Sequence, residues 1–547
     1  MAIGISLLLL AVWPSISIHE SLWVDELHSA WVIADRWDEI GHRAALGNQS
    51  PLYFCGLKTW ANVIGSLVIS GKPTEAGLRF SSLLAWIALC ALTVRTLFRT
   101  TTSRTRLPTL MVVVGWLLLD RIGAFYALEL RPYVWVALSS LLVMRFGAKL
   151  VENPIQISWI WMLASGLAFY LHYTSIIVIA FSWLGCIIAI AIRWRDFESS
   201  GRMQILRAQA FQIILLATLL APGLFQLATI SRKSQQWASF AGDASLMKVV
   251  DLLPWFFWTI IPMLVFAAQR SMLIGSIKTR TGSVSDGHLS EVKNATSQPS
   301  HNEIIQPKST SQSLFAWLLQ LCLVGYGSLL FVWFLTFSET APLLHRRYIF
   351  GAYPAFLLLG AFWLGRIHDL RLLLLTGALS AALMIWWQGT LTEWQAGRFV
   401  AWQRQEDWRR AVAFLNEYRK NNEQIFLAPM LVETAGDKID PTLDVGYLRY
   451  PMTSFYPIQD ANSIRLLPNN FDRWETEISQ ALSNSTDENA WLVARGPWDG
   501  SLAIRAGSIS DGPETTNPPS TLTEKPQWKT EKRFYGGRVQ VWKLEKR

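Results

Sequence analysis

Four groups of polar residues stand between long apolar stretches of this chain: Asp25 with Glu26, Glu129 with Arg131, His172 with Tyr173, and the run His345, Arg346, Arg347, Tyr348. A carboxylate can withdraw the proton of a hydroxyl nucleophile. A guanidinium offers a planar fork of donors that matches phosphate oxygens. Gathered in one place, these residues would activate a hydroxyl and hold a phosphate. Each also has a plainer reading. Asp25 and Glu26 suit solvated loop charges, and Arg131 and Arg346 suit lipid-headgroup anchors at span ends. Glu129 suits an ion-pair partner for Arg131, and His172 and Tyr173 suit turn residues in a tight helical hairpin.

The elements that must position them are apolar. Of 547 residues, 51% are hydrophobic and 16% charged, against about a quarter charged in soluble proteins. The apolar residues fall in windows near 2–18, 78–98, 109–126, 132–148, 157–171, 174–192, 208–230, 249–268, 314–337, 348–365 and 371–388. Each is roughly 15 to 24 residues, the length that crosses a hydrocarbon core of about 30 Å as a helix. The expected fold is therefore an α-helical polytopic membrane protein with roughly eleven transmembrane helices. The first window has no small-residue cleavage site after it and reads as an uncleaved span.

Basic residues fix the expected orientation. Arg95, Arg99, Arg104 and Arg106, then Lys149, then Arg193, Arg195, Arg202 and Arg207, then Arg270, Lys278 and Arg280, then Arg366 and Arg371 all lie in connections of one parity. The positive-inside rule makes those connections cytoplasmic. The net charge of +9 then reports topology, and nucleic acid is excluded as a partner. The 28 Trp residues, many near span ends, fit an aromatic belt. On this topology all four polar groups lie on the outer face. The spans carry little central charge, Arg145 near the inner end of the fourth being the exception, which argues against a transporter. Cys55, Cys90, Cys186 and Cys322 lack metal-ligand spacing and read as small apolar residues.

Residues 1–390 thus form a transmembrane domain whose first outer loop, 19–77, carries amphipathic stretches at 30–40 and 51–64 suited to the interface. A Ser- and Thr-rich stretch, 269–313, reads as a flexible cytoplasmic loop. Residues 391–547 have the composition of a soluble α/β domain, expected outside the cell membrane. Its predicted elements are a helix over 407–418, strands at 424–428 and 490–494, and a hairpin of 533–535 with 539–542 around Gly536 and Gly537. The stretch 505–527 reads as disordered.

Local sequence adds a resemblance. Trp23-Val24-Asp25-Glu26, Gln49-Ser50-Pro51-Leu52-Tyr53-Phe54 and Arg79-Phe80-Ser81 look like the first outer loop of GT-C fold membrane glycosyltransferases. The relatives concerned are the protein O-mannosyltransferase and lipid A aminoarabinose transferase group (glycosyltransferase family 39-like), in its bacterial polysaccharide-type members. Leu130-Arg131-Pro132-Tyr133, His172-Tyr173 and Arg346-Arg347-Tyr348 resemble the group's later outer motifs. The stretch from Glu406-Asp407-Trp408-Arg409 to Phe426 resembles the start of its exported domain. Where many relatives carry a histidine or a second proline before Pro51, this chain has Asn48-Gln49-Ser50.

The resemblance implies a hexosyl- or pentosyltransferase of the cell (inner) membrane. Its donor is a sugar on polyprenyl phosphate, and its acceptor is a hydroxyl of a lipid, glycan or protein. It implies Asp25 as general base, Glu26 orienting it or binding a cation, and Arg131, Arg346, Arg347 and Tyr348 holding the donor phosphate. Glu129, His172, Tyr173 and Gln49 become substrate contacts. Some relatives use a divalent cation and others do not. The outer loops offer only Asp25, Glu26 and Glu129 as clear oxygen ligands, so no metal site is assigned. The rival readings are a polysaccharide ligase, a lipid-linked sugar transporter or flippase, and a non-catalytic scaffold.

Overall fold

The computed structural model describes residues 2–67, 73–232, 244–252, 255–281, 308–395, 406–420, 423–429, 445–460, 463–468, 473–482, 489–495, 528–536 and 538–546. The expected disordered stretch 505–527, the centre of the loop 269–313 and the turn residue Gly537 lie outside them. The chain is a mostly helical polytopic membrane protein with one small sheet. Seven helices are long and apolar enough to cross a bilayer, or eight if the bent pair Ser103–Leu119 and Arg121–Leu128 is one span, and Gly4–Ser15, Trp159–Leu171 and Phe256–Met272 are shorter apolar helices. Leu163, Phe225, Phe337 and Leu375 stand exposed on these helices, a surface that water would penalise and lipid tails accept.

Two compact units divide the chain. The first comprises Met1–Ser17, Ala44–Gly56 and Arg79–Trp402, and the second Ile18–Arg43, Leu57–Leu78 and Gln403–Arg547. Most of residues 19–77 thus belongs to the same unit as the C-terminal residues.

In the first unit small residues let helices approach closely, as packing in lipid requires. A methyl on Gly360, in Tyr353–Leu364, would strike the Trp258 carbonyl and come within 3.0 Å of Trp116. The Trp116 and Trp258 rings are stacked with centroids 5.6 Å apart. The predicted span 109–126 is not one straight helix. Ser103–Leu119 stops at Asp120 and resumes as Arg121–Leu128 after a bend of 70°. The cause is Asp120 itself, which leaves helical backbone geometry and caps the second helix by accepting the Ile122 N–H at 3.2 Å.

The second unit is built on a sheet in the order β2-β1-β3-β5-β4, with β1 Gln424–Ala428, β2 Ile464–Leu466, β3 Asn489–Arg495, β4 Trp528–Gly536 and β5 Val539–Lys546. The strand β1 pairs parallel with both β2 and β3, and β5 runs antiparallel to β3 and β4. Alternation sorts the faces. Phe426, Ala428, Ala490, Leu492, Ala494, Trp542 and Leu544 pack with Trp474, Ile478 and Leu482 of the helix Trp474–Leu482. The helix Trp408–Tyr418, with Asp407 as its N-cap, buries Trp408, Ala411, Val412 and Leu415, and Phe414 meets Trp491 edge-on. The expected helix, strands and hairpin are all present.

Loop residues 18–43 and 57–78 belong to the same unit through specific bonds. The Leu22 N–H donates to the Tyr456 hydroxyl at 2.9 Å, and that hydroxyl donates to Glu75 at 3.1 Å. Arg409 pairs with Glu75 at 3.3 Å. The amphipathic stretch 30–40 is not continuous: one helix, Val24–Val32, ends at Ile33 and another, Glu39–Leu46, follows. Arg43 donates to the Trp31 carbonyl at 2.8 Å, and Lys58 donates to those of Ile33 and Asp35. Two cations thus satisfy the end of Val24–Val32, where the helix dipole favours positive charge.

Candidate functional site

In the first unit, residues from three of the four polar groups converge, Tyr173 standing apart from them. Glu129 closes the helix Arg121–Leu128 and Pro132 opens Tyr133–Glu152, so Glu129 and Arg131 share one tight turn, the Arg131 N–H donating to the Glu129 carbonyl at 2.7 Å. Ser82 fixes that turn by donating to the same carbonyl at 2.7 Å. Both side chains are buried.

His172 and His345 are held by one device. Each ends an extended step of backbone and caps the turn after it, its ring accepting the backbone N–H two residues on, from Thr174 at 3.4 Å and from Arg347 at 3.3 Å. An Nδ1 that accepts leaves the proton on Nε2. The His172 ring packs against Tyr133 at 5.5 Å and Tyr348 at 5.9 Å, and His345 meets Tyr348 at 6.0 Å. Burial, and then the cations Arg131 and Arg347, push the His172 pKa down to about 3. Tyr126 lies within electrostatic reach of Glu129, Arg346 and Arg347. At neutral pH His172 is therefore a neutral imidazole in the field of Arg131 and Arg347. Guanidiniums gathered in this way suit an anion.

Tyr173 and Gln49 meet elsewhere in this unit. The Tyr173 hydroxyl donates to Gln226, whose amide donates to the Gln49 carbonyl at 3.4 Å. The departure Asn48-Gln49-Ser50 has a local explanation. Asn48 takes a positive φ of 55°, and the bonds from Asn48 N to Ala45 O and from Gln49 N to Ala44 O end the helix Glu39–Leu46 in a Schellman motif. Asparagine tolerates that left-handed position better than most residues.

In the second unit, Asp25 and Glu26 open the helix Val24–Val32, where the dipole favours negative charge. The structure separates them. Glu26 is fully buried and accepts the Trp23 N–H at 3.4 Å, a capping interaction. Asp25 is the one residue of this helix that is not buried. The N-terminal turn is tied down by Glu406, whose Oε2 accepts the Val24 N–H at 3.0 Å and the Trp408 indole N–H at 3.1 Å. Its Oε1 accepts from Arg495 at 2.8 Å. Burial works against the Arg495 cation, but Glu406 and then Asp25 outweigh it and hold its pKa above the ordinary value.

Sequence reading missed one fully buried carboxylate. Asp120 Oδ2 accepts from Tyr353 at 3.0 Å and Trp255 at 3.2 Å, and Oδ1 from Gln388 at 2.8 Å. Gly123 must lack a side chain because a methyl there would lie 2.5 Å from Asp120 Oδ2. An Asp-Arg pair inside an apolar window was the available signal. Arg495 left no signal, since an arginine at a strand end is common on any surface.

Among the described residues no group of three or more His, Cys, Asp or Glu is arranged to hold a metal ion. No protein-family model, curated protein or solved structure matches the chain.

Proposed function

We propose that this chain is a membrane glycosyltransferase. It moves a sugar from a polyprenyl phosphate donor to an acceptor hydroxyl at the outer face of the cell membrane, the C-terminal domain lying on that side. Arg131, Arg346 and Arg347 bind the donor phosphate, with Tyr348 and the His172 Nε2–H as further donors. Asp25 takes the acceptor proton as the new oxygen–carbon bond forms at the anomeric centre. The bond to the phosphate oxygen breaks with its electron pair, releasing the lipid phosphate. Stabilised charge makes that phosphate a good leaving group, so no second carboxyl is needed to protonate it.

What supports this reading is that Tyr133, next but one to Arg131, and Tyr348, next to Arg347, both pack on the His172 ring, from three separate connections between apolar helices. Headgroup anchors would snorkel outward, whereas Arg131 is buried. The short motifs that resemble GT-C glycosyltransferases support the choice of a lipid-linked sugar as donor. The test is to incubate the purified protein with a panel of polyprenyl phosphate sugars and score free lipid phosphate. Release from one donor, dependent on Asp25, supports the reading; no release from any donor by folded protein removes it.

One observation favours transport of a lipid-linked sugar as the second reading: a helix broken at a buried carboxylate, Asp120. Against it, the 17 residues of Ser103–Leu119 rise about 26 Å, so the break falls near one end of a span, whereas transporter helices break near the bilayer midplane. Movement of the donor across vesicle membranes without hydrolysis or transfer would favour this second reading.

A further inference from the structure

The sugar-transfer reading needs one accessible carboxylate kept ionised and aimed, yet Asp25 is only partly exposed and sits on a helix of 9 residues that is too short to hold its own geometry. What holds it comes from the far end of the chain. Glu406 has no exposed side-chain surface and three donors: the Val24 amide, the Trp408 indole and the Arg495 guanidinium. The first belongs to the residue before Asp25. The last stands within electrostatic reach of Asp25 itself. Arg495 is the final residue of β3, whose neighbour β1 lies between two parallel partners. This is the reversal of strand order beside which α/β sheets present ligands.

We propose that Glu406 and Arg495 are positioning residues for Asp25: Glu406 anchors the helix start and orients Arg495, and Arg495 supplies the positive charge beside the Asp25 carboxylate. The inference rests on Asp25 being the general base. Other titratable groups around the pair are Glu26 and His28 on the same helix, Glu406, and Tyr447, which interacts with Arg495.

The experiment uses the full-length protein as wild type, Arg495→Met, Arg495→Lys and Glu406→Gln. Asp25 protonation is followed by carbodiimide labelling of its carboxyl against pH, read by mass spectrometry, alongside kcat and KM for the donor. An opposite charge within about 4–6 Å lowers a carboxyl pKa by 1 unit or more. Arg495→Met is therefore expected to move the labelling midpoint and the acid limb of kcat upward by about one pH unit, with KM for the donor unchanged. Arg495→Lys restores the wild-type midpoint, whereas Glu406→Gln takes away a neighbouring negative charge together with the anchor of the helix, so it lowers kcat without raising the midpoint. An unchanged midpoint in Arg495→Met, or a lysine variant as shifted as the methionine one, overturns the proposal. Labelling does not depend on turnover, so a wild-type protein that transfers no sugar removes the proposed function while the midpoints still decide whether Arg495 governs Asp25.

Discussion

The Val24 amide donates to the Glu406 carboxylate at 3.0 Å although 382 residues separate the two in sequence. That bond fixes the first turn of the helix on which Asp25 alone escapes burial while Glu26 is consumed as a cap. The adjacent acids are thus unequal. Asp25→Asn is expected to abolish sugar transfer with membrane insertion and thermal stability unchanged. Glu26→Gln is expected to retain transfer and lose about 1 kcal/mol of stability, the size of a capping interaction. Paired turnover and thermal-unfolding measurements check both, and retained turnover in the Asp25 variant sinks its assignment as base.

Arg131 and Arg347 both bear on His172 electrostatically. Substituting either by lysine keeps the charge and loses the planar fork. Each variant is expected to lose about tenfold to a hundredfold in kcat/KM for the donor, the worth of one charge-assisted hydrogen bond. Steady-state kinetics with a donor of defined lipid length measures this. Equal kinetics for lysine and arginine at both positions would assign them to headgroup anchoring.

His172 is expected to stay neutral throughout the physiological range. Its folded pKa, about 3, lies below the unfolded value of 6.5, so the folded state binds fewer protons between those limits. Its contribution to stability is fully present above pH 6.5 and is lost progressively as pH falls toward 3. Labelled-histidine NMR should show no charging of His172 at pH 5, and the His172→Gln variant should lose part of the acid sensitivity of unfolding. A titration near 6.5 would contradict the packing against Tyr133 and Tyr348.

Among the described residues Ile122, Trp255, Tyr353 and Gln388 all donate to Asp120, and these four carry no charge. Asp120→Ala strands the Tyr353, Trp255 and Gln388 donors, and each buried donor left unpaired costs about 1–3 kcal/mol. Gly123→Ala drives a methyl into the same carboxylate and is expected to destabilise by about 1–3 kcal/mol. Thermal unfolding in detergent tests both, and the double variant should fall short of the sum because the two act on one node.

Gly360→Ala forces apart the helices Phe256–Thr281 and Tyr353–Leu364 at the Trp258 carbonyl. A fixed backbone atom cannot move aside as a flexible side chain can, so a loss of about 2 kcal/mol or more is expected. The stacked Trp116–Trp258 pair provides a fluorescence readout of the disturbance.

The sequence by itself determined what depends on local periodicity and solvent preference. Among the described residues the apolar windows from 2–18 to 371–388 are largely helical, although seven or eight rather than roughly eleven are long and apolar enough to cross a bilayer, and the elements 408–418, 424–428 and 489–495 were readable because an amphipathic stripe or a short apolar run has few other ways to bury itself. Tertiary structure decided the rest. It bent the span at 109–126, because Asp120 finds its donors on residues 135, 233 and 268 positions away. It brought most of the first loop into the C-terminal unit through Tyr456, Arg409 and Glu406. It also separated Asp25 from Glu26, neighbours of the same type whose sequence context is almost identical. Hydrophobicity acts residue by residue and is legible in a string, but a buried carboxylate is stabilised only by donors that arrive from elsewhere in the chain, and no local pattern records which ones arrive.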